Sequence, residues 1–382
     1  MTTQPPPRLG YVPAMDGLRG TMLVVIIAVH ALFIVRPDGS LLPGGFIALD
    51  VFFVQSGFLI TALLLSEKGR TGEISFKNFY LRRACRLMPA VVVMLAFHAA
   101  YWVIKGNPLA TEVKAIAAIG LYASNIFLSF PGFLSVTMPN EFGHMWSLSM
   151  EEQFYILWPG ALVLMLRFHD RNRRSVPTAL WVGIAAVIVI RIVVFRTQGF
   201  PAAYELLWTH SDGIFMGCAL AFIWRDRRMP RRGIVPLAWA TLTAMVLFML
   251  FFRQYDTWPY YWGFALQGVL SSVLVIAVMG DDWSLNRFFA WKPMAILGKT
   301  SYAAYLWHLP MIEITHRELS GQSSAVVIAV ALALTALATT LSWNLVEQPF
   351  LRLKARRFGS QARGPEPAVA AVAPSLAVEG PG

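Results

Sequence analysis

The first long apolar segment of the chain, residues 17–35, carries an arginine and a histidine that a simple membrane anchor does not need. Arg19 and His30 are eleven residues apart, and at about 100° per residue a helix makes just over three turns between them. Both side chains therefore lie on one face of a helix, about 16 Å apart along its axis. A neutral histidine can remove a proton near neutral pH, and an arginine can bind an anion.

A structural interpretation of the same pair is also available. Arg19 can extend towards the lipid headgroups as one positive charge at a helix end, and His30 can form an interhelical hydrogen bond. Ionisable residues inside a membrane span are costly unless they face a cavity or a partner. We therefore favour a functional role for both residues.

Most of the chain consists of apolar segments long enough to cross a membrane. The sequence is 57% hydrophobic and only 14% charged, and eleven such segments follow one another from residue 17 to residue 345. The segment at 113–130 is the weakest, because it contains Lys114, Ser124 and Asn125, and we interpret it as re-entrant or interfacial. The sequence predicts an all-α polytopic membrane protein with about ten transmembrane helices plus this segment.

The net charge of +11 comes from short basic clusters between the apolar segments. Four clusters, at 68–86, 167–174, 225–232 and 352–357, should be cytoplasmic by the positive-inside rule. This distribution indicates membrane topology and contact with membrane lipids rather than nucleic-acid binding. We expect a multi-pass protein of the inner (plasma) membrane with both termini in the cytoplasm.

The composition divides the chain into three regions. We expect a disordered cytoplasmic N-terminus at 1–14, one membrane domain at 15–350, and a tail at 351–382 that is first basic and then disordered and rich in Pro, Ala and Gly. The loops are too short for a separate catalytic domain. Cys85 and Cys218 lack the spacing of a zinc, redox or disulfide site, so no metal is predicted.

Several short motifs follow one another along the chain. They are Met15–Gly20 (MDGLRG) followed by His30, Leu49–Ile60 (LDVFFVQSGFLI), Phe79–Pro89 (FYLRRACRLMP), Trp146–Tyr155 (WSLSMEEQFY), Ser301–His308 (SYAAYLWH) and Val346–Pro349 (VEQP). Their order and spacing resemble those of the acyltransferase 3 family of membrane O-acyltransferases. Small departures are Met15, Gln55 and the less typical sequence His210–Gly213.

The resemblance implies transfer of an acyl group from cytoplasmic acyl-CoA to a hydroxyl of a sugar, a lipid-linked glycan or a small product. Such a reaction needs a base for the hydroxyl proton, and we assign His30 to that role. A carboxylate bonded to the other imidazole nitrogen would fix its tautomer, and we favour Glu151 over Asp50. The predicted catalytic residues are His30, Arg19 and Glu151.

The remaining predicted site residues form two groups. Arg82, Arg83 and Arg86, with help from Arg19, are predicted to bind the phosphates of acyl-CoA, although topology alone could explain their charges. The predicted acceptor-binding residues are Asp50, Ser56, Tyr302 and His308, for which helix packing and interhelical hydrogen bonds are the alternative. We expect His30, Asp50, Glu151, Asp212 and His308 in the outer half of the membrane, and Arg19, Arg82, Arg83, Arg86 and Glu347 near its inner boundary.

The leading hypothesis is an O-acyltransferase that transfers an acetyl or other short acyl group to an envelope carbohydrate or glycolipid. A transporter or flippase is the second hypothesis, because polar residues at several depths also mark substrate pathways. The absence of inverted repeats weighs against it. A sensor of acyl groups is the third.

Overall fold

The structure, a computed structural model, describes residues 9–35, 42–171, 175–253, 255–280 and 282–358. Every regular element within these residues is helical, as predicted for the fold class. Two π-helical turns, Pro259–Gly263 and Ser342–Glu347, precede helices twelve and seventeen. The helices are α1 Pro13–Val35, α2 Ala48–Thr71, α3 Phe76–Ile104, α4 Val113–Gly120, α5 Ser124–Ser129, α6 Met145–Arg171, α7 Ser175–Gln198, α8 Ala202–Glu205, α9 Leu207–His210, α10 Asp212–Arg225, α11 Ile234–Phe251, α12 Phe264–Met279, α13 Asn286–Phe289, α14 Lys292–Lys299, α15 Ser301–Glu318, α16 Ser324–Leu341 and α17 Gln348–Phe358.

The described residues include seven helical stretches long and apolar enough to cross a membrane. This finding supports a multi-pass membrane protein, while the count of about ten spans stays a prediction. Helices α6, α10 and α15 are not among the seven, although α6 and α15 carry two of the motifs. The seven stretches are Pro13–Val35, Gly45–Thr71, Phe76–Ile104, Ser175–Gln198, Ile234–Phe251, Pro259–Met279 and Ser324–Leu353.

The segment at 113–130 forms two short helices rather than one span. Helix α4 has eight residues and α5 has six, which correspond to about 12 Å and 9 Å. Tyr122 separates them with a positive φ of 52°. Because a hydrocarbon core is about 30 Å thick, neither helix alone is long enough to cross it, and the interpretation of this segment as re-entrant or interfacial stays a prediction.

Close contacts between α2 and α10 show how these two helices run relative to each other. The carbonyl oxygen of Val54 in α2 lies only 2.1 Å from the position that a Cβ atom of Gly217 in α10 would occupy, so glycine is required at this contact. Further along both helices, the rings of Phe58 and Trp224 are 6.3 Å apart. Helices α2 and α10 therefore run parallel.

Helix α1 runs antiparallel to α2. The side chain of Gln55 donates a hydrogen bond to the carbonyl of Met15 (3.4 Å), whereas Val29 contacts Gly45 just before α2 begins. The start of α1 therefore lies at the same end of the molecule as the last turn of α2, which contains Lys68. We call this the basic end.

The region from α14 to α15 is fixed against the start of α1. The carbonyl of Asp16 fills the place where a Cβ atom of Gly298 would be, so α14 ends beside the first turn of α1. Helix α15 begins two residues after α14 ends and leads away from the basic end, parallel to α1. This arrangement brings His308 to the level of His30.

The predicted disordered segments fall mostly on residues 1–8 and 359–382, which lie outside the described residues. The three-region division of the chain stays a prediction.

Candidate active site

Three histidines from separate parts of the chain meet in the interior, and we call His30, His144 and His308 the histidine cluster. The ring centroids of His30 and His308 are 5.0 Å apart, and those of His144 and His308 are 4.9 Å apart. His144 and His308 are fully buried. Among the described residues, no group of three or more His, Cys, Asp or Glu side chains is arranged to hold a metal ion.

Hydrogen bonds define which nitrogen carries the proton in His308 and in His30. Nδ1 of His308 lies 2.6 Å from the carbonyl oxygen of Tyr305, which can only accept, so Nδ1 is the donor. In a neutral imidazole the other nitrogen, Nε2, has no proton, and it therefore accepts a hydrogen bond from Nδ1 of His30 at 3.2 Å. Nε2 of His30 is consequently unprotonated and has the lone pair that a base needs.

The predicted pairing of His30 with a carboxylate is wrong. Glu151 instead accepts a hydrogen bond from the hydroxyl of Ser56 at 3.0 Å. Because α2 packs against α6, Glu151 lies at the level of Arg19 along α1 rather than at the level of His30. Glu151 and Arg19 have opposite charges and attract each other. The place predicted for a carboxylate is taken by the imidazole of His308.

His144 is the residue of the cluster that the sequence analysis missed. Both of its ring nitrogens are buried without a hydrogen-bond partner among the described residues. The hydroxyl of Tyr305 donates a hydrogen bond to the His144 carbonyl at 2.9 Å, which holds this segment against α15. Its position in the sequence could have indicated a place in the site, because His144 stands two residues before the motif that begins at Trp146.

A second group of ionisable residues lies nearer the basic end, and we call Arg19, Arg83, Arg86, Glu151 and Glu152 the charged cluster. Arg83 forms an ion pair with Glu152. Arg86 lies close enough to Arg19 and Arg83 for their positive charges to repel one another. Arg19 and Arg86 form no hydrogen bond or ion pair with any described residue. Two guanidinium groups that repel each other therefore lack a directly bonded carboxylate.

The three arginines predicted to bind phosphate differ in their surroundings. Arg82 pairs with Glu67 at 3.2 Å, and Arg83 is occupied by Glu152. Arg86 is exposed and unpaired within the described part of the chain. Of the three, Arg86 has the geometry that best fits binding of an external anion.

Asp50, predicted to bind the acceptor, belongs to a buried network instead. Its carboxylate lies 3.2 Å from Nε2 of His210, whose Nδ1 lies 2.7 Å from the carbonyl of Tyr204. Nδ1 must donate to that carbonyl, so the Asp50–His210 contact also requires a proton. Beside it, Arg191 pairs with Asp212 at 2.8 Å, and both side chains are fully buried.

The other predicted acceptor-binding residues are spread over several levels. The hydroxyl of Tyr302 donates a hydrogen bond to the carbonyl of Leu87 (3.0 Å) and so joins α15 to α3. Tyr302 lies about 9 Å along α15 from His308, towards the basic end, and Ser56 is bonded to Glu151. Only His308 of the four lies in the histidine cluster.

A cavity of about 200 Å³ opens beside the charged cluster. Arg83 and Glu152 form its polar side, and Leu87, Met88 and Ile156 are among its apolar lining residues. The cavity leaves space for part of a ligand next to the arginines of α3.

Comparisons with known proteins agree with the motifs. The profile of the acyltransferase 3 family, described as an acyltransferase domain, matches residues 12–347. The chain is 31% identical over 352 residues to the peptidoglycan O-acetyltransferase OatA of Listeria monocytogenes and 34% identical over 356 residues to the O-acetyltransferase OatA of Staphylococcus aureus. It is 32% identical over 355 residues to the putative peptidoglycan O-acetyltransferase YrhL of Bacillus subtilis.

These matches cover 89% of the chain but only 55–57% of the relatives. The chain therefore spans about half the length of these curated relatives. No solved structure matches it.

Proposed function

Because this chain belongs to the acyltransferase 3 family, we propose that it is a membrane O-acyltransferase that acts on a carbohydrate of the cell envelope. The match of the family profile to residues 12–347 supports the reaction class. The names of the relatives support a cell-wall carbohydrate as the acceptor and acetyl as the acyl group. A glycolipid precursor of such a carbohydrate is an equivalent acceptor, because it presents the same kind of hydroxyl group.

The proposed donor is acyl-CoA, and the proposed place for its charged part is beside Arg19 and Arg86. Both guanidinium groups lack a carboxylate partner among the described residues, and both lie towards the basic end. Guanidinium groups suit phosphate oxygens because they can form two parallel hydrogen bonds. Arg82 and Arg83 are already paired with Glu67 and Glu152. In the proposed site they add positive charge near the phosphates without bonding to them directly.

The proposed base is His30. Its Nε2 removes the proton of the acceptor hydroxyl as the hydroxyl oxygen attacks the acyl carbonyl carbon. The bond between this carbon and the CoA sulfur then breaks, and the thiolate takes the proton from the imidazolium. The products are the O-acyl ester and free CoA, so no other reactant is needed.

His308 and His144 complete the proposed site. His308 accepts the hydrogen bond from Nδ1 of His30, so the proton stays on that nitrogen and the lone pair stays on Nε2. His144 offers two unbonded ring nitrogens beside this pair, and in the proposed site one of them contacts the acceptor hydroxyl or the acyl oxygen.

The proposed orientation has the basic end in the cytoplasm, where acyl-CoA is available, with the protein in the plasma membrane. Arg19 and His30 lie on one face of α1 about 16 Å apart. A donor whose phosphates lie at the charged cluster would therefore extend along α1 and place its thioester beside the histidine cluster.

The observation that carries the proposal is the hydrogen bond that leaves Nε2 of His30 free. We expect purified wild-type protein to release thiol from acetyl-CoA only when a glycan acceptor is present. The variant His30→Ala should lose about a hundredfold or more in turnover while keeping its fold. His316→Ala, a histidine outside the cluster, is the matched control. Unchanged acylation by His30→Ala would refute the mechanism.

The same assay separates the enzyme from the second hypothesis, a transporter or flippase. A transporter would move the glycan or acyl compound between the two sides of a vesicle without releasing thiol. Movement without thiol release would therefore replace the proposed function.

A further inference from the structure

A larger cavity, of about 560 Å³, lies at the basic end and belongs to neither cluster. It is formed where α10 ends, where α11 begins and where α12 ends, together with the segment before α13. Its volume is in the range of small-molecule sites in proteins. Its lining includes Arg227, Arg231, Ile234, Ile276 and Trp283.

Two positive charges at the rim of this cavity lack partners. Arg227 and Arg231 are exposed, and neither forms an ion pair or hydrogen bond with a described residue. One acidic residue, Asp282, also lines the cavity, so the lining carries a net charge of one positive unit. The rim therefore attracts an anion, because neither Arg227 nor Arg231 is already in an ion pair with a described carboxylate of the protein.

The ring of Trp283 forms part of the lining of the cavity. Trp283 is only 2% exposed, and its Nε1 is buried without an acceptor among the described residues. A nitrogen buried this completely is out of reach of a ligand atom in the cavity, so Trp283 lines the cavity with its ring and not with its N–H.

The rest of the lining is apolar and continuous with two candidate membrane spans. Ile234 and Ile276 belong to α11 and α12, and Leu237 and Trp239 on α11 are exposed on the outside. A ligand whose headgroup lies between the arginines can therefore extend its hydrocarbon part along α11. Basic pockets between helices at the cytoplasmic side of a membrane favour anionic lipid headgroups.

We propose that this cavity binds the phosphate headgroup of an anionic phospholipid, held by Arg227 and Arg231, with its hydrocarbon part against the apolar lining. The proposal does not depend on the acyl-transfer reaction. The cavity is connected to the start of α1, since the rings of Trp283 and Phe289 are 5.7 Å apart and the Phe289 carbonyl packs directly on Gly17. A bound lipid would therefore support the part of α1 that carries Arg19.

The test compares phosphatidylglycerol with phosphatidylcholine in their binding to the purified full chain, measured by native mass spectrometry and by titration with a fluorescent phosphatidylglycerol. We expect wild-type protein to retain phosphatidylglycerol in preference to phosphatidylcholine. The double variant Arg227→Ala, Arg231→Ala should lose about thirtyfold in affinity, since each cation near a phosphate contributes roughly a factor of five.

Two single variants sharpen the test. Arg228→Ala removes an exposed, unpaired arginine next to the cavity that does not line it, and it should bind like wild type. Trp283→Phe keeps an aromatic ring in the apolar lining and leaves both arginines in place, so it should also bind like wild type.

Three results would overturn the proposal. They are equal retention of the two lipids by wild type, undiminished binding by the double variant, and equal losses in Arg228→Ala and the double variant. A further titration with adenosine 3′,5′-bisphosphate separates the two sources of phosphate. Displacement of the lipid by this nucleotide would assign the cavity to the nucleotide part of the acyl donor instead.

Discussion

Nδ1 of His30 lies 3.2 Å from Nε2 of His308, and this hydrogen bond defines the state of both rings. The Tyr305 carbonyl holds the His308 proton on Nδ1, so the proton between the two rings belongs to His30. An imidazole therefore has the orienting role that a carboxylate has in many acid–base sites. Unlike a carboxylate, a neutral imidazole adds no negative charge to the membrane interior.

The first prediction concerns His308. The variant His308→Ala removes the acceptor for Nδ1 of His30 and should lower kcat by about tenfold to a hundredfold, as is typical when a hydrogen bond that orients a functional histidine is lost. KM for the acyl donor should change little, because His308 lies far from the charged cluster. The measurement is steady-state acylation of a soluble glycan acceptor.

The variant His308→Gln provides the control for this role. A glutamine carbonyl can accept the same hydrogen bond, so this variant should recover part of the kcat that His308→Ala loses. If glutamine and alanine give equal losses, His308 acts by packing or by direct contact with the substrate and not by orienting His30.

His144 is the subject of the second prediction. Its two ring nitrogens are buried without hydrogen bonds to described residues, so His144→Phe should preserve the ring packing and even improve thermal stability. The same variant should lower kcat by tenfold or more if His144 contacts the reacting groups. Thermal unfolding and acylation are measured on the same preparation, and full activity in a stable His144→Phe variant would exclude it from the site.

A third prediction separates Arg86 from Arg82. Arg86 has no ion-pair partner among the described residues, whereas Arg82 is paired with Glu67. Arg86→Ala should raise KM for acetyl-CoA by about tenfold, the effect of losing roughly one charge-assisted hydrogen bond. Arg82→Ala is the matched control and should raise it much less. If Arg82→Ala raises KM more than Arg86→Ala does, the donor phosphates bind at Arg82 instead.

The fourth prediction concerns the buried pair Arg191 and Asp212. Asp212→Leu should destabilise the protein by about 3–5 kcal/mol, because it leaves a buried guanidinium without its carboxylate. The double variant Arg191→Met, Asp212→Leu removes both charges and should recover most of that loss. Equilibrium unfolding in detergent measures the stability of both variants. A double variant as unstable as Asp212→Leu would mean that Arg191 stabilises the protein through its hydrogen bonds to the carbonyls of Thr209 and Tyr260, both at 3.1 Å.

The sequence by itself determined the helical membrane class, the family and the helix that carries Arg19 and His30. These features depend on local patterns, since the length of an apolar segment, the 3.6-residue period of a helix and the order of motifs are all visible in one dimension. The same kind of local pattern, the polar residues within 113–130, underlies the prediction that this segment is re-entrant or interfacial.

The tertiary structure decided which polar residues meet. Glu151 was expected beside His30, but the packing of α2 on α6 pairs it with Ser56, and Asp50 faces His210 across 160 positions of the chain. His144 joins the histidine cluster because α15 runs parallel to α1 and holds the start of α6. Such contacts depend on the rotation and level of neighbouring helices, which are set by close backbone packing at glycines such as Gly217 and Gly298 and not by the spacing of residues within any one helix.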